Sequence, residues 1–508
     1  MAPFRRSNDA VHWFLSELIS RIVADTGVPS DRFHIGKIIL QSFKDAPNNV
    51  MQIDGATGLS ETNERAMERS VRCAFSMKNY GLEYGDVIAI MAPNHLDLAA
   101  PFYASLYLGV VIAAVDRTLS IKELQRTFDI CKPKIIFCQS EKASDIQIAL
   151  NDLELNSLIV TFDKGDYLCS FSDFCERYGG DTDVEEFKPS DFPADDANAL
   201  LISTSGTTGL PKCAVITHKN LAISLPYLMA RYTEFPTPTA MVLLASPLQW
   251  LTAVMQYVLS PILRYTRLQT SADFTPEHAY HLINTYKPTF AILSPTAMTT
   301  LITQPNQDQC DFTCFEILLL GGSAVPTELV DEIKIMNVDT LEDINEPNIP
   351  GELWLKGPGI FKEYYNNPEA TAETFAEGRW FKSGDLFYRD ENWNYFFVER
   401  IKLLLKYKSY QISPVEVESV IRQHPGIQDV AVTSIPDPEC GDLAVACVVL
   451  RNGNQVTAQE IKDLVKESLS DAKQLRGGVI FLNELPQTAS TKIHRKKLKD
   501  MVLNMERL

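Results

Sequence analysis

The sequence lacks an excess of positive charge, a long apolar run and a recognisable leader. Lysine and arginine number 47 against 65 acidic residues, and the formal net charge is −18. Non-specific binding of nucleic acid needs clustered basic residues, so this balance argues against it. The longest apolar runs, such as 109–115, suit buried strands and are too short for a membrane span. The first residues show no apolar core and no cleavage site, so we expect no secretory signal.

Cysteine pairs with the spacing of a metal site are also missing. The ten cysteines are scattered, and Cys310 and Cys314 lie near each other without a second pair to complete a zinc-finger pattern. We therefore expect reduced thiols in an intracellular protein. Internal repeats and low-complexity segments are absent from the sequence, and hydrophobic residues make up 45% of it, as in ordinary globular proteins.

What is present is an alternation of short apolar runs with helical patterns. A chain of 508 residues predicts two or more domains. The alternation is typical of parallel sheets covered by helices. Buried strands are predicted at 86–92, 109–115, 134–138, 158–162, 240–246, 290–294 and 315–322, with helices at 98–108 and 121–131.

The last hundred residues predict a compact α+β module with strands at 429–435, 443–450 and 478–485. Two helix starts are marked by a hydroxyl residue followed three positions later by glutamate, in SPVE (413–416) and TAQE (457–460). In both we expect the hydroxyl to cap the helix and the glutamate to reach back to it.

The predicted fold class is therefore α/β with two unequal domains. We expect an N-terminal extension over 1–34 and a large N-terminal domain of helix-flanked β-sheets over 35–399. A small, mobile α+β C-terminal domain is expected over 400–508.

A loop rich in glycine and hydroxyl groups follows the predicted buried strand 199–205. Glycines allow a tight turn and a close approach to a ligand, and hydroxyls and a lysine supply donors and charge, which together suit a polyphosphate. The pattern is not a P-loop, because Pro211 precedes the lysine and 214–218 predicts another strand. A hairpin without a ligand is the alternative. The candidate phosphate-binding residues are Ser205, Gly206, Thr207, Thr208, Gly209 and Lys212.

The loop TSGTTGLPK resembles the phosphate-binding signature of the acyl-adenylate-forming family, which includes acyl-CoA synthetases, coumarate–CoA ligases and firefly luciferase. The resemblance runs from about residue 35 to about residue 500 and is closest to the luciferase-like and coumarate–CoA ligase branch. Further segments match the family's motifs in the family's order: GGSAVP (321–326) and the stretches 350–375, 380–418 and 475–498.

The resemblance implies a nucleotide site. Gly321, Gly322 and Ser323 would form the turn beside adenine. Asp385 would accept hydrogen bonds from both ribose hydroxyls, as a carboxylate can, and Arg400 would join it at the ribose. A turn aspartate and a surface ion pair are the alternatives at these two positions.

Three lysines receive roles through the same resemblance. Lys402 would lie at the hinge of the small domain, and Lys406 would serve the thioester-forming arrangement. Lys492 would stabilise the negative charge that develops as a carboxylate and the α-phosphate join. Solvated lysines are the alternative, since 402–408 and 492–497 are both basic.

The reaction implied has two steps, between which the small domain rotates. A carboxylic acid and ATP, with Mg²⁺, would give an acyl-AMP and pyrophosphate, and CoA would then displace AMP. The expected partners are a small carboxylic acid, ATP and CoA, with no nucleic acid and no membrane span.

One family segment is missing. After residue 333 the family continues for several dozen residues that include a Tyr-Gly-x-Thr-Glu motif, whose glutamate binds Mg²⁺; here 334–353 follows at once and the motif is absent from the sequence. A strand of the second sheet would be lost with it. This favours the alternative of a catalytically impaired or inactive relative that binds nucleotide or acyl ligand only. Glu346 reads as a surface turn residue rather than a replacement ligand, and His218 has no role in the reaction.

The substrate and the compartment are less specified. Gln249 and Trp250 stand where the branch commonly has residues facing the substrate, and Trp250, Leu251 and Val254 suggest an apolar acid, fatty or aromatic. The histidine pattern of luciferases is absent there, which disfavours a luciferase-type monooxygenase. The final Glu-Arg-Leu is a poor match to the Ser-Lys-Leu address, so peroxisomal and cytoplasmic locations are both expected.

Overall fold

A computed structural model describes most of the chain. The described residues are 2–508 without 164–168, 181–182, 205–211, 224–240, 303, 305, 321–331, 338–339, 401–404, 409, 452–454, 487–494 and 506.

Helices and strands alternate through the first three hundred residues, as the sequence predicts. The helices are α1 (Ala2–Thr26), α2 (Ile35–Asp45), α3 (Asn63–Tyr80), α4 (Ala99–Leu108), α5 (Ile121–Cys131), α6 (Ser140–Asp152), α7 (Phe171–Gly179), α8 (Leu251–Leu263), α9 (Pro276–Tyr286), α10 (Pro295–Ile302), α11 (Pro368–Thr374), α12 (Pro414–Ile421), α13 (Ala458–Ser468) and α14 (Arg495–Leu503); residues 218–223 are also helical.

The strands fall into four sheets. In chain order they are β1 (Val50–Asp54), β2 (Ser60–Thr62), β3 (Val87–Met91), β4 (Val111–Ala114), β5 (Ile135–Cys138), β6 (Leu158–Thr161), β7 (Asn198–Thr204), β8 (Lys212–Thr217), β9 (Met241–Leu243), β10 (Thr266–Gln269), β11 (Phe290–Leu293), β12 (Ile317–Leu320), β13 (Glu332–Met336), β14 (Gly351–Lys356), β15 (Phe375–Ala376), β16 (Trp380–Arg389), β17 (Tyr395–Arg400), β18 (Leu405–Tyr407), β19 (Tyr410–Ile412), β20 (Ile427–Asp437), β21 (Gly441–Leu450) and β22 (Gly478–Phe481).

The first sheet has the order β6-β5-β3-β4-β7-β8 and is parallel except for the β7–β8 hairpin. Both faces are covered, which explains the continuous apolar runs. Along β3, Ile88 and Ile90 enter one core, whereas Ala89 and Met91 enter a second core with Phe128 of α5. This alternation is the strand period of two, with a helix layer on each side.

The second sheet has the order β12-β11-β9-β10-β1-β2. Its neighbours pair in parallel except for β1 and β2. Strand β12 is the terminal strand in this order and pairs with β11. The large domain also includes α1, because Val11, Leu15 and Leu18 on one helix face are buried in the core that holds Ile88.

The third sheet carries the stretch that leads to the small module. It has the antiparallel order β13-β14-β16-β15, with β17 paired to β16. Backbone pairing of Val215 and Cys213 with Glu363 and Tyr365 joins β8 to the segment between β14 and β15 of this sheet.

The small module is a single sheet with helices on both faces, in agreement with the predicted α+β character. Its order is β19-β18-β21-β20, with β22 parallel to β21. Val430 and Val432 face the core of α12 and α13, and Ala431 faces Leu498 of α14. Strand β17 belongs to the third sheet and β18 to this one, so the sheets change across 401–404.

The two predicted capping motifs have different outcomes. Thr457 and Glu460 form the expected capping box at α13. The prediction for α12 is wrong: Ser413 stands at the N-cap position, but its side chain makes no cap hydrogen bond, and its Oγ is buried without a hydrogen-bond partner. No capping box forms there, and Glu416 Oε1 instead accepts from Lys473 Nζ at 3.0 Å.

Candidate functional site

The predicted phosphate-binding loop is the connection of the β7–β8 hairpin. Thr204 and Lys212 are cross-strand partners at its two ends, and Thr204 Oγ1 donates to the Lys212 carbonyl at 3.2 Å. Since β7 is parallel to β4, the loop leaves the sheet at the carboxyl ends of its parallel strands. Ligands of open α/β sheets bind at this edge. The predicted residues Ser205, Gly206, Thr207, Thr208 and Gly209 lie outside the described part of the chain.

Lys212 is held in a defined, largely covered position at the end of this loop. Its side chain is 11% exposed, and Nζ lies 4.0 Å from Glu373 Oε2. The ammonium also lies 5.3 Å from the centre of the Tyr364 ring, within the range of a cation–π contact. The neighbouring Cys213 is buried in the core, and burial raises the pKa of its thiol. Cys213 is therefore a packing residue.

Asp385 and Arg400 are brought together by strand register. They are directly paired on β16 and β17, so the register brings the two backbone positions next to each other in the third sheet. Asp385 is half-buried, and its backbone N–H donates to Ser383 Oγ at 3.1 Å. Gly384 adopts a positive φ of 72° and donates its N–H to Glu352 Oε1 at 2.9 Å, which fixes the local bend.

Lys406 lies on the β18–β19 hairpin, which contacts the segment predicted to face the acid. Lys406 is exposed, and its backbone N–H donates to Asp442 Oδ2 at 2.9 Å. On the partner strand, the Tyr410 ring meets the Trp250 ring edge-on at 6.1 Å between centres. The hairpin of the small module thus lies against the segment singled out for substrate contact.

The other residues of that segment differ in accessibility. Trp250 is half-buried and Leu251 is 41% exposed, whereas Val254 is fully buried in the main core. Val254 is therefore covered by protein, and Trp250 and Leu251 are the accessible pair.

His218 and Glu346, for which the sequence predicts no role in the reaction, differ in burial. His218 is fully buried next to Phe192 and His34, at 4.9 Å and 5.5 Å between ring centres, and burial lowers its pKa. Glu346 lies exposed in a bend. Among the described residues no group of three potential metal ligands comes together. Gly321, Gly322, Ser323, Lys402 and Lys492 fall outside the described stretches.

Sequence reasoning missed a set of residues that join the two domains. Lys473 of the small module contacts Glu123 at the start of α5, and Tyr410 contacts Trp250. The Ser-x-x-Glu pattern at Ser120 signals a capping box, which the structure contains, but nothing in the pattern indicates a partner 350 residues away.

In the described part of the chain, no helix has the length and apolar character to cross a bilayer.

Comparison with known proteins agrees with this architecture. The AMP-binding enzyme model matches residues 41–333, and the AMP-binding enzyme C-terminal domain model matches residues 416–492. Luciferin 4-monooxygenase of Photuris pensylvanica is 31% identical over 489 residues, 86% of this chain and 89% of that protein. 4-Coumarate–CoA ligase 4 of Arabidopsis thaliana is 27% identical over 505 residues, 88% of this chain and 87% of that protein.

Solved structures share the fold. The o-succinylbenzoate CoA synthetase of Bacillus subtilis gives a TM-score of 0.77 at 24% identity, over 91% of this chain and 97% of that one. The luciferase-like enzyme of the nonluminescent mealworm Zophobas morio gives 0.64 at 25% identity, over 73% of this chain and 96% of that one. With both domains matched in order, the chain belongs to the AMP-binding enzyme family.

Proposed function

We propose that the chain is an ATP-dependent carboxylate–CoA ligase for a fatty or aromatic acid. A carboxylate oxygen would attack the α-phosphorus of ATP, the bond to the bridging oxygen would break, and pyrophosphate would leave. The thiol sulfur of CoA would then attack the acyl carbon of the acyl-AMP. AMP would leave with the bonding electrons, and the thiol proton would pass to solvent.

The observation that carries this proposal is the position of Lys212. A largely covered ammonium at the carboxyl edge of a parallel sheet, at the end of a glycine-rich loop, suits the phosphates of ATP. Asp385 and Arg400, paired on the third sheet, would hold the ribose. Lys406 would act in the thioester step and Lys492 in the adenylation step, with Lys402 at the hinge.

The residues predicted to face the carboxylic acid give partial support to an apolar substrate. Trp250 and Leu251 are accessible, and Tyr410 of the small module contacts Trp250. Aromatic faces of this kind suit a flat or aliphatic acid. The presence of 4-coumarate–CoA ligases among the relatives is compatible with a flat acid and with an aliphatic acid.

Mg²⁺ would enter with the nucleotide and neutralise phosphate charge. The described residues bring no carboxylate cluster to Lys212 that would hold it independently of ATP, so the phosphates would supply most of its ligands. The Tyr-Gly-x-Thr-Glu motif, whose glutamate would hold Mg²⁺, is absent from the sequence. This supports the alternative function, a relative that binds nucleotide or acyl ligand with little or no turnover.

The test is acid-dependent pyrophosphate release with ATP, Mg²⁺ and a panel of fatty and hydroxycinnamic acids. Release that depends on one class of acid, at rates of order 1 s⁻¹, supports the ligase. Saturable ATP binding without release for any acid supports the non-catalytic alternative. Light emission with luciferin, ATP and oxygen would instead support a monooxygenase, an activity named for several relatives.

The control for this assay comes from the same sheet. Lys134 is exposed, pairs with Asp86 at 2.7 Å and lies at the amino end of β5, the opposite edge from Lys212. Lys134→Ala should release pyrophosphate at the wild-type rate, whereas Lys212→Ala should lose most of it. For location we propose the peroxisome or the cytoplasm, which a fluorescent reporter carrying the last dozen residues would test.

A further inference from the structure

A buried ion cluster joins the small module to the large domain. Lys473 Nζ lies 2.7 Å from Glu123 Oε1 and 3.0 Å from Glu416 Oε1. Glu123 belongs to α5 of the large domain, whereas Lys473 and Glu416 belong to the small module. The side chains are 15% exposed for Lys473, 2% for Glu123 and 3% for Glu416. One ammonium therefore joins carboxylates on both sides of the domain boundary, largely away from water.

The cluster is balanced so that its parts depend on each other. Burial raises the pKa of Glu416 against the effect of Lys473. For Lys473 burial acts to lower the pKa, but the Glu416 and Glu123 carboxylates outweigh it and raise the pKa. An attraction between charges is stronger where water is excluded, and removal of one partner leaves a buried charge uncompensated. Removal of one partner of the ion pair across the boundary would therefore cost more than removal of one partner of an exposed pair.

Two weaker contacts lie beside the ion cluster. Ser120 Oγ lies 3.3 Å from the Ser468 carbonyl oxygen, and Lys122 Nζ donates to Ser468 Oγ at 3.2 Å. The second oxygen of Glu123 accepts from the Ser120 N–H at 3.0 Å and from its hydroxyl at 2.8 Å. The capping box thus orients the Glu123 carboxylate toward Lys473, so that the start of α5 is the docking point.

Docking at α5 determines what faces the acid pocket. With the module in this position, Tyr410 meets Trp250, and Lys406 lies on the same β18–β19 hairpin as Tyr410. Lys212 and Asp385 lie on the large domain and do not depend on this contact for their position. Detachment of the module would therefore remove the hairpin and leave these two nucleotide residues in place.

We propose that Lys473 is a positioning residue: its ion pair with Glu123 holds the β18–β19 hairpin at the acid pocket and so supports acyl transfer to CoA. Lys473 acts through the module and touches no reacting atom. The kinetic part of the proposal rests on the proposed function, whereas the docking part rests on the contacts alone.

The two carboxylates that contact Lys473 can be neutralised one at a time, which gives matched variants. Glu123→Gln removes the ion pair across the boundary and leaves Lys473 paired with Glu416 inside the module. Glu416→Gln does the reverse and is the control. Lys473→Arg keeps the charge and tests rescue. Each is prepared in the full chain and compared by hydrogen exchange and by two separate assays, pyrophosphate release without CoA and conversion of a synthetic acyl-AMP by CoA.

In Glu123→Gln we expect faster hydrogen exchange in the first turn of α5 and in residues 468–473. We expect acyl transfer from acyl-AMP to CoA to fall about tenfold, while pyrophosphate release and ATP affinity stay within twofold of wild type. Glu416→Gln should keep transfer within threefold of wild type, and Lys473→Arg should retain most of it.

Unchanged exchange and transfer in Glu123→Gln would overturn the proposal. Equal losses in both assays would also overturn it, because they would indicate general destabilisation. If wild type releases no pyrophosphate with any acid, the proposed function fails, and the exchange comparison alone decides whether the ion pair docks the module.

Discussion

The buried imidazole of His34 makes the stability of the large domain sensitive to mild acid. His34 is fully buried at the start of α2, where Nδ1 accepts from the Lys37 N–H at 3.1 Å. The other nitrogen therefore carries the proton and donates to the Ser190 carbonyl at 3.0 Å. A second proton on Nδ1 would face the N–H of Lys37. Burial, with Lys37 nearby, lowers the pKa of His34 from 6.5 to about 4.

The sign follows from the order of the two pKa values. Between pH 6.5 and about 4 the unfolded chain binds a proton at this residue and the folded chain does not, so acid favours unfolding. Stability is complete above 6.5 and is lost as the pH falls. At about 1.4 kcal/mol per pKa unit, the loss is roughly 1 kcal/mol at pH 5.5 and about 3 kcal/mol at pH 4.

The assay combines urea unfolding at pH 7.5 and 5.5 with NMR titration of labelled histidines. His34→Asn keeps a capping oxygen but does not titrate, so its loss of stability between the two pH values should be smaller than in wild type by about 1 kcal/mol. The exposed His281→Asn is the control and should behave as wild type. A His34 resonance that titrates near 6.5, or equal losses in wild type and His34→Asn, would refute the reasoning.

Three further substitutions test the site and the packing. Asp385→Asn should weaken ATP binding about tenfold while leaving the affinity for 2′,3′-dideoxy-ATP unchanged, because only the ribose hydroxyls are lost as partners; equal weakening of both in a binding titration would contradict this. Gly36→Ala should lower the melting temperature by several degrees, since its Cβ would lie 2.2 Å from the Leu106 carbonyl oxygen, and an unchanged thermal unfolding curve would show that the helices can separate. Arg267→Leu should cost about 3 kcal/mol in urea unfolding, because the fully buried guanidinium donates to Gln52 at 2.5 Å and its removal leaves acceptors unpaired; a cost below about 1 kcal/mol would mean that the cluster repacks.

Much of the fold could be predicted because period and burial agree along the chain. The runs at 86–92 and 134–138 become β3 and β5, and their continuous apolar character reflects helices on both faces of the sheet. The capping box at Thr457 depends only on neighbours in sequence, and it forms as predicted.

Contacts between distant segments explain what could not be predicted. Glu416 follows Ser413 at the spacing of a capping box, yet no box forms, and Glu416 accepts instead from a lysine 57 residues away, a contact that the local pattern does not indicate. The pairing of Asp385 with Arg400 depends on strand register, including an irregularity between Leu386 and Phe387. Sequence motifs indicate both residues, but only the register places them opposite each other on neighbouring strands.

Calorimetric titration with ATP measures equilibrium binding and tests directly whether the β7–β8 loop is a triphosphate site. We expect one saturable site in wild type and in the Lys134→Ala control, with affinity at least about tenfold weaker in Lys212→Ala. Absence of saturable binding in wild type, or equal affinity in Lys212→Ala, would contradict the assignment of the β7–β8 loop as a triphosphate site.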